Sequence, residues 1–223
     1  MVEINKLSKK YNNCAVFDNF SHSFSKGING IIGKNGAGKS TLFNCIFGTE
    51  KYEGIINRSS SISYLPSNLY FYPRIRGIEY IEFICGAKKQ KVDYTKLEHL
   101  NSFLKLPLKK YAANYSTGMK QKLALLSFYL SSADILLLDE PFNGLDIEAQ
   151  HICSELMFLL KKQYDTIIIS SHITSQLTNT CDKIFYLNNS VISNSYQKNN
   201  FHLIEDDINA SFTEITDHIK NYL

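Results

Sequence analysis

Residues 33–40 read GKNGAGKS and stand directly behind the apolar run Ile28-Asn29-Gly30-Ile31-Ile32. No other stretch of this chain leaves so few options. Three glycines, two lysines and a serine in eight positions place backbone freedom and positive charge at the end of a buried-looking strand. The pattern is G-x-x-x-x-G-K-[ST]. Gly33, Gly36 and Gly38 allow successive N–H groups to turn inward with no Cβ in the way, and a helix opening at Gly38 presents its positive end to the same point. The anion such a nest accepts is a nucleotide phosphate. Gly33, Lys34, Asn35, Gly36, Ala37 and Gly38 would wrap it, with Thr41 just beyond. Lys39 would reach the β- and γ-phosphates, and the Ser40 hydroxyl would ligate Mg²⁺.

The remaining sequence tests that expectation. Strands are predicted at "VEIN", "AVFDNFSHSF", "GINGIIG", "GIINRS" and "SISYLP", with a helix over about 38–47. From about Tyr72 to Ser131 apolar residues recur at helical spacing, which predicts a helical insert over 72–131 between core segments 1–71 and 132–195. "DILLLDE" and "TIIISS" are further strands, Ile147–Lys162 a helix, and "KIFYLNNSVISNS" a hairpin turning at Asn188-Asn189. A helical tail is expected over 196–223. Short apolar runs alternating with helices indicate an α/β fold with buried parallel strands. In such sheets chemistry collects beyond the strands' carboxyl ends. Three runs obey that rule: "GIIG" leads into the phosphate loop, "ILLL" into Asp139-Glu140, and "TIII" into Ser170-Ser171-His172.

Acidic residues abutting a fully apolar strand fit a Walker B sequence, in which Asp139 holds Mg²⁺ and Glu140 polarises the attacking water. His172 taken alone reads as a structural histidine. At the third strand end it becomes a sensor of the γ-phosphate. Tyr115-Ser116-Thr117-Gly118-Met119-Lys120-Gln121-Lys122 offers a good N-cap in Ser116 and a close backbone approach at Gly118. It is either a capped helix or a second anion site.

The phosphate loop, "YSTGMKQK", "ILLLDEP", "NGLD" and "SSH" occur in an order and spacing that resemble the ATP-binding subunits of ABC transporters, over essentially residues 1–195. The resemblance implies a P-loop fold of that type: a mixed sheet with an antiparallel edge and a helical insert. It also implies that MgATP is hydrolysed between two such domains docked head to tail, as copies or homologues. Ser116 and Gly118 would then contact the γ-phosphate held by the opposite subunit. Asp146 would lie at the dimer interface and Tyr11 would stack on adenine, although an aromatic there serves in a core or on a surface as readily. Two departures stand out. Thr117 and Met119 replace the glycine and glutamine of the usual LSGGQ signature, a variation similar to that of peptide and antibiotic exporters. Ser67 stands where the family places a glutamine that touches Mg²⁺ and water, which points to slower turnover or looser coupling.

Charge bears on the partners. With 24 Lys+Arg against 21 Asp+Glu, a formal net charge of +3 gives no case for nucleic acid. The rival reading, a related ATPase acting on ribosomes or DNA, also lacks its usual second nucleotide domain or long coiled coil. The longest apolar stretch, Leu123 to Leu138, is interrupted by Ser131-Ser132 and Asp134 and is too short to span a bilayer. The N-terminus MVEINKLSKKYNN has no apolar signal region. A cytoplasmic protein at the inner face of the cell membrane is expected, held there by a separate permease docked on the helical insert and the Ser67 loop. Cys14, Cys45, Cys85, Cys153 and Cys181 form no C-x-x-C pair, so five buried free thiols are expected rather than disulfides or zinc.

Overall fold

The doubly buried aliphatic runs become the middle of one sheet in the computed structural model, which describes residues 1–12 and 14–210. The chain opens with β1 (Val2–Tyr11), β2 (Cys14–Phe24) and β3 (Gly27–Ile32). After α1 (Lys39–Phe47) come β4 (Glu53–Asn57) and β5 (Ile62–Leu65). Three helices follow: α2 (Gly77–Ala87), α3 (Tyr94–Leu104) and α4 (Thr117–Leu130). Strand and helix then alternate through β6 (Ile135–Asp139), α5 (Ile147–Leu160), β7 (Thr166–Ser171), α6 (Thr174–Thr178), β8 (Lys183–Asn188) and β9 (Val191–Gln197). A 3₁₀ stretch, Lys198–Leu203, leads into α7 (Ile204–Ala210). The expected tail helix beyond residue 210 lies outside the described residues.

A six-stranded sheet runs in the order β5-β6-β7-β3-β8-β9, parallel except at β9, and a separate antiparallel sheet runs β2-β1-β4. Every residue of β6 and β7 is buried because both faces are covered. Alternation along the strands divides the core in two. Leu136, Leu138, Ile167 and Ile169 pack with the helices α2 to α5. Ile135, Leu137 and Ile168 point the other way, onto α1 and the antiparallel sheet, where Phe17, Phe24, Leu42 and Phe43 meet them. α4 lies along α2 and α5, its leucines in the core that covers β6 and β7.

Several local expectations change. β1 continues from "VEIN" to Tyr11, because β2 and β4 flank it and supply partners through polar residues that the alternation alone does not mark. Lys6 has φ 53 and interrupts its register. The last hairpin turns at Asn189-Ser190, where φ is 45 and 67, rather than at Asn188-Asn189. Positive φ at both central residues is what a two-residue turn needs to match the strand twist. The five-residue α6 is too short to show a period and was not foreseen. The tail region opens as strand, since Tyr196 and Gln197 still pair with β8. Four thiols are buried as expected, but Cys14 is exposed because it begins β2 at the open corner of the first hairpin. Burial pushes the Cys45 thiol up to about 11 and that of Cys153 up to about 12, which keeps both unreactive.

Candidate active site

Because β6, β7 and β3 are neighbours, their carboxyl ends are neighbours too. Asp139 pairs in register with Ser170, and Ile32 with Ser171. Beyond these ends opens a cleft of about 400 Å³. Asn35, Gly36, Gly38, Lys39, Ser40 and Thr41 line it together with Glu140 and His172. Tyr11 and Ser67 also line it. Gly33, Ala37 and Asp139 are buried and do not line it. A Cβ on Gly33 would lie 2.6 Å from the Leu187 carbonyl oxygen, so the loop passes the sheet at a distance only glycine permits. Gly38 caps α1 at φ 101 and makes no side-chain cap bond. A glycine at this cap offers the first-turn amides no side-chain acceptor, as an anion site requires.

The charged groups are already in contact. Lys39 Nζ donates to the carbonyl of Gly33 at 2.7 Å and of Lys34 at 3.3 Å, and lies 3.2 Å from Glu140 Oε1. The other carboxylate oxygen of Glu140, Oε2, is 2.9 Å from His172 Nδ1. Glu140 thus bridges a cation from the first strand end and an imidazole from the third. Sharing Nδ1 with a carboxylate leaves Nε2 of His172 for another partner. Glu140 holds φ 51, in the left-handed region, where a side chain costs about 1–2 kcal/mol. Its amide is pinned there by the Ser170 carbonyl at 3.2 Å and the Ser170 hydroxyl at 3.0 Å.

Ser170 has a role that the sequence alone does not mark. Buried at 0% exposure, its hydroxyl donates to Asp139 Oδ1 while accepting the Glu140 amide. One serine orients both carboxylates. Asp139 is 1% exposed and its Oδ2 has no protein partner. A buried carboxylate oxygen without a donor is costly, and a cation is what would satisfy it. Burial first, and the Asp139 charge second, raise the Tyr64 hydroxyl above its ordinary pKa. Among the described residues no cluster of three or more His, Cys, Asp or Glu side chains converges. Two oxygen donors suffice for Mg²⁺ where phosphates and water complete the octahedron, so the residues present fit that ion. Asn143, which also lines the cleft, was missed, though it belongs to the quoted "NGLD".

Ser116, Gly118 and Asp146 stand away from this cleft and close to one another. Ser116 caps α4, its hydroxyl accepting the Met119 amide at 3.3 Å. Asp146 caps α5, accepting the Ala149 amide at 2.7 Å. A Cβ on Gly118 would meet Ala149 Cβ at 3.1 Å, so glycine here permits the two helix starts to approach.

A family model described as "ABC transporter" matches residues 17–143, more than half of the chain. An uncharacterised ABC transporter ATP-binding protein of Methanocaldococcus jannaschii is 31% identical over 193 residues, 83% of this chain and 73% of that protein. The bacitracin transport ATP-binding protein BcrA of Enterococcus faecalis is 31% identical over 203 residues, 82% of this chain and 65% of that one. A dimeric ATP-binding cassette solved in a post-hydrolysis state with ADP and Pi superposes with a TM-score of 0.75 at 18% identity, covering 89% and 99% of the two chains, which shows a common fold. Among the described residues no helix is long and apolar enough to cross a membrane. The chain belongs to the ABC transporter family, as one of its ATP-binding, ATP-hydrolysing subunits.

Proposed function

We propose that this subunit binds MgATP in the cleft at the β3, β6 and β7 ends and uses its hydrolysis to drive a separate membrane permease. The observation that carries the reading is the meeting of Lys39, Asp139, Glu140 and His172 from three strand ends around one phosphate-sized nest. Lys39 exchanges the Gly33 and Lys34 carbonyls and Glu140 for the β- and γ-phosphate oxygens. Asp139 Oδ2 and the Ser40 hydroxyl are the donors the chain offers to Mg²⁺, which supplies neutralisation of charge developing on the phosphates. Once Lys39 is drawn away, Glu140 is free to accept a hydrogen bond from the attacking water. His172 keeps that carboxylate oriented through Nδ1 and turns Nε2 to the γ-phosphate. Tyr11 stacks on the base.

Two such subunits, identical or homologous, dock head to tail, so that the end of α4 with exposed Ser116 and half-buried Gly118 reaches the γ-phosphate held by the other, with Asp146 at the interface. The likeness to a dimeric cassette supports this arrangement. The permease docks on the helical insert and the Ser67 loop, holding the subunit at the inner face of the cell membrane. Export is the favoured direction, supported by the Thr117 and Met119 signature and by a bacitracin transport protein among the relatives.

The test is a pair of variants of the full chain. Lys39→Ala should lose most MgATP binding by equilibrium dialysis; retained affinity would remove the phosphate loop from the account. Glu140→Gln should bind normally, stop hydrolysing and elute as an ATP-dependent dimer; normal turnover would end the water-polarising role.

A further inference from the structure

Lys9 carries a cation beside Tyr11 that the hydrolytic scheme leaves idle. It lies on β1 with only 9% of its surface exposed, a costly place for an ammonium group. All three donors have work. One meets Glu50 Oε2 at 2.7 Å and one the Lys51 carbonyl at 2.9 Å. The third side of Nζ faces the Tyr11 ring, 4.5 Å from its centroid. Glu50 thus holds the ammonium that sits over the Tyr11 ring. Lys9 therefore grips the ring by one face, and Glu50 and the Lys51 carbonyl fix Lys9 in turn. The ring remains 41% exposed and lines the cleft.

Glu50 and Lys51 follow Gly48, the residue that ends α1. The other end of α1 carries the phosphate nest. The clamp thus ties the ring to the helix whose first turn would hold the triphosphate, and it fixes the distance between base and phosphate positions. The hydrogen bond between them holds the Lys9 ammonium above its ordinary pKa and Glu50, helped by the Tyr11 hydroxyl, below its own, so both stay charged around neutral pH.

We propose that Lys9 and Glu50 are positioning residues for nucleotide recognition: together they hold Tyr11 as a preset stacking platform for the purine base. The proposal rests on the reading of Tyr11 as the base platform. A ring locked before binding loses no rotamer freedom when the base arrives. The cation beneath it adds its own attraction for the ring, leaving the opposite face for the base.

The experiment compares MgATP with magnesium tripolyphosphate, which has the phosphates and no base, by titration calorimetry on the full chain. Tyr11→Ala should weaken ATP about tenfold or more, the scale of one lost base–aromatic stack, with tripolyphosphate unchanged. Lys9→Met should weaken ATP about threefold to tenfold, Lys9→Arg should recover most of that, and tripolyphosphate should change less than about twofold in both. Glu50→Gln should follow Lys9→Met in direction, and it carries the test if the methionine variant fails to fold. Lys9→Met placed in Tyr11→Ala should cost nothing more. Equal weakening of both ligands by Lys9→Met and Glu50→Gln would show a purely structural staple and overturn the proposal. So would unchanged ATP affinity in these variants while Tyr11→Ala loses it. If Tyr11→Ala leaves the preference for ATP over tripolyphosphate intact, the platform reading itself falls.

Discussion

Ser170→Ala isolates one hydroxyl on which both carboxylates of the site depend. The side chain is fully buried, donates to Asp139 Oδ1 and accepts the Glu140 amide at 3.0 Å. Removing it leaves Asp139, whose Oδ2 already lacks a partner, with no side-chain donor from Ser170. A hydrogen bond to a charged group contributes about 1.5–3 kcal/mol. The Glu140 amide keeps the Ser170 carbonyl at 3.2 Å, so the second loss is partial. The sum is about 2–3 kcal/mol of folding stability, read by urea unfolding without nucleotide. With MgATP the deficit should shrink, because the orphaned carboxylate gains a cation. Turnover should fall about tenfold, since a Glu140 amide held by one bond is free to leave its left-handed φ and carry the carboxylate off line. Ser171→Ala is the matched control: its hydroxyl bonds Gln176 and the Ile173 amide and touches neither carboxylate. A Ser170→Ala loss below about 0.5 kcal/mol, or one that MgATP leaves unchanged, would refute the reasoning.

Gly38→Ala forces a side chain into φ 101 and places its Cβ 2.9 Å from Phe17 Cζ. It should cost about 2–4 kcal/mol and lower Tm by about 5–15 °C, read by calorimetry; a normal Tm would contradict the strained cap. Ser67→Gln restores a longer side chain at the cleft wall and should raise the ATPase rate; an unchanged or lower rate would show that Ser67 does not limit turnover. Burial lowers the His22 pKa to about 4 from its ordinary 6.5. Between those values the unfolded chain binds the proton and the folded chain does not, so stability falls as pH drops from 6.5 to 4 and levels off below. After discounting for partial exposure the loss is about 1–2 kcal/mol, and His22→Phe should remove that part of the acid slope in urea titrations.

The sequence shows most clearly those parts of the site that are local. GKNGAGKS needs a strand before it and a helix after it, and both are visible within twenty residues. Asp139, Glu140 and His172 are legible because each ends an unbroken aliphatic run that only a covered parallel strand explains. Ser170 shows the limit. Nothing in "SSH" says which serine faces Asp139 until the parallel register sets Asp139 beside Ser170. The Lys9 clamp is hidden for the same reason, its partners lying 41 and 42 residues away. β1 extends past "VEIN" through Lys6, Lys9 and Lys10, which carry no apolar alternation, because strands pair with it on both sides. The hairpin turn slipped by one position because Asn188, Asn189 and Ser190 are all turn formers, and the choice between them is made by pairing with β9.

The central claim is that three strand ends converge on one triphosphate, and a crystal structure of the Glu140→Gln variant with ATP and Mg²⁺ tests it most directly. The account predicts Lys39 Nζ moved from the Gly33 carbonyl to the β- and γ-phosphate oxygens, a cation on Asp139 Oδ2, and His172 Nε2 at hydrogen-bond distance from the γ-phosphate. Nucleotide bound elsewhere, or Lys39 still folded on its own loop with Asp139 Oδ2 bare, would contradict it.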